Sequence, residues 1–246
     1  MKSLVGRGTL YGLGLGPGDP DLMSVRADRL LRAARHVAFF RKAGRPGHAR
    51  QIVSGLLAEG VREHPLEYPV TTEIPFDSPN YKSLLADFYA DCCDRLRSLT
   101  ETGEDVVVLC EGDPFFYGSF MHLYMRLKDS LSIQVVPAIT GMSAAWTATG
   151  IPMTWGDDVM TVLPGTLPES ELAQHMTKSD ALVVMKVGRN LPRVRRALAA
   201  ASRLDAAWLV ENASMTEQRV VKLSEAEQQS APYFSIVLVH GEGRRP

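Results

Sequence analysis

Val106-Val-Val-Leu109 is a run of apolar residues too short for a helix and rich in β-branched side chains. It reads as a strand buried on both faces, the kind found in a parallel sheet with helices on each side. Directly after Cys110 the character changes to Glu111-Gly-Asp-Pro-Phe-Phe-Tyr-Gly118. Gly112 lets backbone approach a ligand closely, and Asp113, preceding a proline, is kept out of the helical region. Ligands of open α/β sheets sit beyond the carboxyl ends of their strands. This one stretch therefore constrains both the class of fold and the place where a site belongs.

The flanking chain repeats the same strand-loop-helix pattern, which predicts a parallel sheet. Leu10–Leu15 reads as a glycine-thinned strand, followed by the tight loop Gly16-Pro-Gly-Asp-Pro20. Asp19 and Pro20 are expected to open a helix whose apolar stripe is Met23, Ala27, Leu30, Leu31 and Ala34. His36–Phe40 reads as a second strand and Arg41–His48 as a basic loop. Ile52, Val53, Leu56 and Leu57 mark a helix, Arg62–Leu66 a short strand, and Tyr68–Pro79 a proline-rich loop with the makings of a lid. A long helix follows from Asn80, with Tyr81, Leu84, Leu85, Phe88, Cys92, Leu96 and Leu99 as its core stripe, ending at Gly103. Ser119 opens another helix, and Ser132–Val136 is a strand stopped by Pro137.

Beyond the small-residue helix Thr140–Thr149 the pattern shifts. Val159–Leu163, Ala181–Met185, Ala207–Val210, Arg219–Lys222 and Phe234–Val239 read as strands, with helices near 169–176 and 190–201. The last strands are joined closely enough for antiparallel pairing. The fold class is thus α/β with two domains. Residues 1–138 form an N-terminal, mostly parallel sheet flanked by helices. Residues 139–246 form a C-terminal mixed sheet with helices.

Several function classes are set aside by composition. A net charge of -1 gives no basis for bulk nucleic-acid or anionic-membrane binding. No apolar run approaches the ~20 residues that span a bilayer. Glycine and proline interrupt the first apolar stretch, so no signal peptide is read and a cytoplasmic location is expected. Cys92, Cys93 and Cys110 lack metal-ligand spacing and read as buried thiols; no metal site is expected. A dinucleotide fingerprint also fails. Counted from Gly12 its sixth position is Pro17, and counted from Gly14 it is Asp19, a carboxylate where a pyrophosphate would need positive charge.

Gly14-Leu-Gly-Pro-Gly-Asp-Pro20, Gly112-Asp-Pro-Phe-Phe-Tyr-Gly118, Val136-Pro-Ala-Ile-Thr140 and Glu211-Asn212 occur in an order that resembles the tetrapyrrole methyltransferases, which use S-adenosylmethionine. The resemblance covers nearly the whole chain. Gly112–Phe120, Leu163-Pro-Gly-Thr-Leu-Pro-Glu169 and Met185-Lys-Val-Gly-Arg-Asn190 are similar to the branch acting on precorrin rings in cobalamin biosynthesis. The resemblance implies an active site in the cleft between two α/β domains, a homodimer, and a folded cofactor released as S-adenosylhomocysteine. Carried over by position, Pro17, Glu111, Gly112, Asp113, Phe116, Thr140, Gly141, Met185 and Ala213 are the cofactor-binding residues. Relatives that methylate uroporphyrinogen carry an aspartate where Phe40 stands, so no base is transferred from them.

Methyl transfer from a sulfonium demands mainly alignment and exclusion of water. A reduced tetrapyrrole is a flat apolar body edged with carboxylates and needs apolar walls and a cationic rim. Phe115, Phe116, Tyr117, Met153 and Trp155 are candidate walls. Arg41, Lys42, Arg45, Lys186 and Arg189 are candidate substrate-binding cations. Tyr117 is the candidate catalytic residue, to orient the substrate or relay the proton lost from carbon. Asp113 either binds the cofactor or caps its own turn. Competing expectations are methylation at another ring position, a cobalt-containing substrate, and a non-catalytic tetrapyrrole-binding protein.

Overall fold

A computed structural model describes residues 6–70 and 78–243. The chain divides into two compact units, Met1–Thr140 and Gly141–Pro246. The lid suggested by the proline-rich sequence lies largely outside the described residues.

In the first unit β1 (Thr9–Gly14), β2 (His36–Lys42), β3 (Arg62–Tyr68), β4 (Val106–Cys110) and β5 (Ser132–Val136) form one sheet. Their order is β3-β2-β4-β1-β5, and each neighbouring pair is parallel. α1 (Val25–Ala33) and α2 (His48–Ile52) cover one face. α3 (Pro79–Glu101) and α4 (Phe120–Leu127) cover the other. The central strand alternates between them. Val106 and Val108 pack under α3 and α4, Val107 and Leu109 under α1 and α2, and every residue of β4 is buried. Strands β2 and β4 lie side by side, and their chains leave towards opposite edges of the sheet, β2 to β3 and β4 to β5. That is a topological switch point, where the loops at the carboxyl ends part and leave room for a ligand.

Local structure departs from the sequence reading in several places. Asp19 caps only a single 3-10 turn, Pro20–Leu22, through its carboxylate and the Asp21 N–H. Met23 and Ser24 are extended, and Ser24 is the true cap of α1, accepting from Ala27 N–H at 3.1 Å. α2 starts earlier than expected, at His48, and ends at Ile52; Val53, Leu56 and Leu57 lie in turns that still pack against the core. Arg41 and Lys42 belong to β2 rather than to a loop, paired with Glu67 and Tyr68 of β3. The long helix ends at Gly103 as read from the sequence, and starts one residue earlier than Asn80. Ser78 caps it, Pro79 occupies its first turn, and Gly103 ends it at φ +88°.

The second unit holds β6 (Met160–Pro164), β7 (Ala181–Met185), β8 (Ala207–Glu211), β9 (Arg219–Lys222) and β10 (Ser235–Val239) in the order β6-β7-β10-β8-β9. β6 and β7 are parallel, and β10 runs antiparallel between β7 and β8. The closing strands pair antiparallel, as their short connections led one to expect: β9 pairs with β8, and the chain then returns to place β10 in the centre. α5 (Gly141–Thr149) covers one face, and α6 (Glu169–Lys178) with α7 (Leu191–Ala200) covers the other. Met153, read as a substrate wall, is 7% exposed and packs in the core on the α5 side.

Two glycines of β1 answer to packing rather than to a ligand. A Cβ on Gly12 would lie 2.3 Å from the ring of Phe120, itself fully buried. One on Gly14 would lie 2.6 Å from Ala138 Cβ and 2.9 Å from Pro114 Cδ. The bare backbone of β1 thus lets α4 and the loops after β4 and β5 close onto the sheet. Gly12→Ala is expected to lower stability by about 1–3 kcal/mol through overpacking against Phe120. A denaturant midpoint equal to that of the parent would contradict this account.

Candidate active site

The carboxyl ends of β1 and β4 are tied together by backbone. Leu15 N–H donates to Cys110 C=O at 3.0 Å, and Gly112 N–H donates to Gly16 C=O at 2.8 Å. Gly16 and Gly112 form an isolated antiparallel bridge, at φ +82° and +62°. These are values that L side chains rarely adopt, so glycine is needed at both. Pro17, next in the loop, is buried.

Asp113 caps its own turn, one of the two roles read from its sequence position. Its Oδ1 accepts from Phe115 N–H at 2.8 Å, capping the turn that Phe116 N–H closes on Asp113 C=O at 3.1 Å. Its Oδ2 accepts from Ala138 N–H at 3.0 Å, joining the β4 loop to the segment that leads to Thr140. A carboxylate oxygen has lone pairs to spare, so these bonds leave acceptor capacity for a ligand. Farther along, Tyr117 is held at φ +56°, its ring edge-on to Phe116 with centroids 4.8 Å apart. Phe115 and Tyr117 are among the exposed large hydrophobic residues, and Phe116 is half-buried. A non-glycine residue in the left-handed region costs on the order of 1 kcal/mol and is kept only where surrounding structure demands it.

Glu111 lies beside this loop, but its carboxyl is turned to α2, where Oε1 accepts from Ala49 N–H at 3.1 Å. Burial pushes the carboxyl above its ordinary value, opposed by the charge of His48 and the Ala49 hydrogen bond. Among the rim candidates, Arg41 is engaged by Glu67 at 2.7 and 2.9 Å. Lys42 and Arg45 are exposed. Phe40 stacks on Tyr68 at 5.5 Å and meets Phe88 and Tyr89 edge-on. Position 40 is therefore given over to aromatic packing.

The second unit gathers its candidates at the shared carboxyl end of β6, β7 and β8. Met185 and Ala213 pack in one cluster with Ile236. A Cβ on Gly141 would stand 3.7 Å from Ile236 Cδ1, an ordinary contact. Gly165 N–H donates to Met185 C=O at 2.7 Å, and Asn212 N–H donates to Phe234 C=O at 2.7 Å. Lys186 at φ +55° and Asn212 at +49° share the strained conformation of Tyr117. Lys186 C=O accepts from Asn190 Nδ2 at 2.9 Å, which fixes the turn that presents Lys186 and Arg189, both exposed.

The Glu211-Asn212 motif does not by itself disclose the role of its carboxylate. Glu211 is 6% exposed, and accepts from Arg219 and Gln228, each at 3.0 Å. It therefore holds β8, β9 and the segment beyond them together. The visible signal was a charged residue ending a strand otherwise made of core residues.

The sequence pattern of the family described as Tetrapyrrole (Corrin/Porphyrin) Methylases matches residues 9–228. The chain belongs to this family. It is 49% identical over 98% of its length to a precorrin-2 C(20)-methyltransferase of Sinorhizobium sp, covering 99% of that protein. A cobalt-precorrin-2 C(20)-methyltransferase of Salmonella typhimurium is 29% identical, with 95% of this chain and 96% of that one covered. Among solved structures, the fold is similar to a Thermus thermophilus uroporphyrin-III C-methyltransferase crystallised with S-adenosylhomocysteine. That likeness has a TM-score of 0.67 at 22% identity, over 94% of this chain and 92% of the other.

Among the described residues no group of three or more His, Cys, Asp or Glu is placed to hold a metal ion. No helix among them is long and apolar enough to cross a membrane. Burial pushes Cys92 up to about 12, and raises Cys93 and Cys110 as well, so these thiols stay protonated and poorly nucleophilic at neutral pH.

The raised Glu111 carboxyl carries a pH signature. Below its ordinary value of 4.5 the group is neutral in both folded and unfolded chains. As pH rises past that value it ionises first in the unfolded chain, so stability falls until the folded-state value is passed, and the loss then persists. Glu111→Gln, which cannot ionise, is expected to gain stability relative to the parent over that interval. Parallel unfolding curves for the two proteins at every pH would refute the assignment.

Proposed function

We propose that this chain transfers the methyl group of S-adenosylmethionine to C20 of precorrin-2, giving precorrin-3A and S-adenosylhomocysteine. The observation that carries the reading is 49% identity to a precorrin-2 C(20)-methyltransferase along nearly the full length of both chains. The identity falls to 29% against the relative named for the cobalt-containing substrate, which favours a metal-free ring. In the same reading the enzyme is a cytoplasmic homodimer.

The residues present suit the cofactor. Pro17, Gly112, Asp113, Phe116 and Thr140 are its proposed contacts in the first unit, with Glu111 contributing main chain. Gly141, Met185 and Ala213 are those in the second. Bare backbone at Gly16 and Gly112 admits close approach, while Met185, Ala213 and Ile236 offer an apolar patch suited to an adenine face. Asp113 retains acceptor capacity for an ammonium or ribose hydroxyl.

The cofactor supplies an activated methyl on a positively charged sulfur. C20, an electron-rich bridging carbon, forms the new bond as the sulfur–methyl bond breaks, and its proton then leaves. For this the protein needs alignment and dryness more than strong acids or bases. Phe115 and Phe116 would wall the ring. Lys186 and Arg189 would receive its carboxylates, with Lys42 and Arg45 as further rim cations. Arg41 would have to share its guanidinium with Glu67 and is the weaker candidate. Tyr117, with a hydroxyl on a rigidly held backbone, would orient the ring or pass on the departing proton.

Anaerobic incubation with precorrin-2 and a methyl-labelled donor tests this reading directly. The label is expected at C20 by NMR of the isolated product. A label at another carbon, or turnover only with cobalt in the ring, would replace the assignment with one of its alternatives; binding without turnover would point to a non-catalytic protein. The Lys186→Ala, Arg189→Ala double variant is expected to raise KM for the tetrapyrrole about tenfold or more, with little change in KM for the donor.

A further inference from the structure

The five-residue helix α2 begins without a cap of its own. Its N-cap residue is Gly47, which has no side chain to accept from the first-turn N–H groups. Serine or aspartate, the usual solutions, are excluded there by packing. A Cβ on Gly47 would lie 2.6 Å from Phe40 C=O and 3.0 Å from the Phe39 ring. The cap comes instead from a residue 62 positions away, as Glu111 Oε1 takes the Ala49 N–H. Ala49 is 3% exposed, so water is a poor substitute at that N–H. Burying the carboxyl raises its pKa, an expense that a simple local cap would have avoided.

This bond joins two functional segments. On one side Glu111 immediately precedes Gly112 and Asp113, the proposed cofactor loop. On the other, α2 terminates the basic arm that leaves β2 through Arg41 and Lys42. The arm turns where Arg45 N–H meets Lys42 C=O at 3.0 Å and returns at His48. We propose that Glu111 is a positioning residue that sets the basic arm 41–48 against the cofactor loop, so that Lys42 and Arg45 meet the carboxylates of the tetrapyrrole. The inference rests on the substrate class proposed above. It assigns the Glu111 carboxyl to substrate recognition through the arm rather than to contact with the donor.

Glu111→Ala and Glu111→Gln separate the possibilities, because the glutamine amide oxygen still accepts from Ala49. Steady-state kinetics of the Ala variant should show KM for precorrin-2 raised about tenfold, with kcat and donor KM within about twofold of the parent. The Gln variant should recover most of that loss. Hydrogen exchange at Ala49 and along residues 42–48 should quicken in the Ala variant and not in the Gln variant. Equal loss of kcat in both variants would overturn the proposal in favour of a role for the charge itself in the chemistry. A rise confined to donor KM would overturn it in favour of direct cofactor binding, and an unchanged tetrapyrrole KM would overturn it outright. Should the parent not turn over precorrin-2, the functional reading fails separately. Fluorescence titration with uroporphyrin III, a carboxylated macrocycle, would still test the tether, with tenfold weaker binding by the Ala variant expected and equal binding refuting it.

Discussion

The Asp113 carboxylate is the junction on which the first unit's working edge depends. One oxygen closes its own turn at Phe115 and the other reaches the Ala138 N–H. One residue earlier, Gly112 pairs with Gly16. Loops following β4, β5 and β1 are thereby held as a single surface. Two accepted backbone N–H bonds on one carboxylate are charge-assisted contacts. A ligand meeting this surface would find it already organised, with little loop entropy left to lose.

Around that junction, side chains are omitted for two separate reasons. Gly12, Gly14 and Gly47 are bare because Phe120, Ala138 with Pro114, and the Phe40 carbonyl occupy the space. Gly16 and Gly112 are bare because the chain turns through a conformation that a Cβ disfavours. Only the latter pair lies in the surface itself. The glycine-rich stretch of β1 and its loop is thus divided between packing, at Gly12 and Gly14, and backbone turning, at Gly16 and Gly18. The cap that Gly47 cannot carry is then displaced onto Glu111.

The second unit solves a comparable problem with strain in place of glycine. Lys186 and Asn212 occupy left-handed positions just beyond β7 and β8, and each is secured by a hydrogen bond to neighbouring chain. Inserting β10 between those strands sets their spacing, and its Ile236 belongs to the apolar cluster against which Met185 and Ala213 pack. The buried Glu211, bonded by Arg219 and Gln228, braces the same edge. Removing one partner from such a buried group is far more damaging than the net worth of the interaction, which explains a carboxylate tolerated at a strand end.

Sequence alone determined what depends on short-range pattern. The doubly buried β4, the α/β alternation, the helix stop at Gly103, and the strands of the second half all follow from hydrophobic period and turn chemistry that neighbours in the chain impose. The family motifs likewise singled out the Gly112-Asp113 loop and the Met185 and Glu211 strand ends. Tertiary structure decided what depends on residues far apart in the chain. The pairing of β10 with β7 and β8, the commitment of Arg41 to Glu67, the Met153 side chain in the core and the Glu111 cap on α2 each join segments tens of residues apart. Such contacts are chosen by which faces and unsatisfied polar groups meet once the sheets have formed, and local pattern carries no record of that choice.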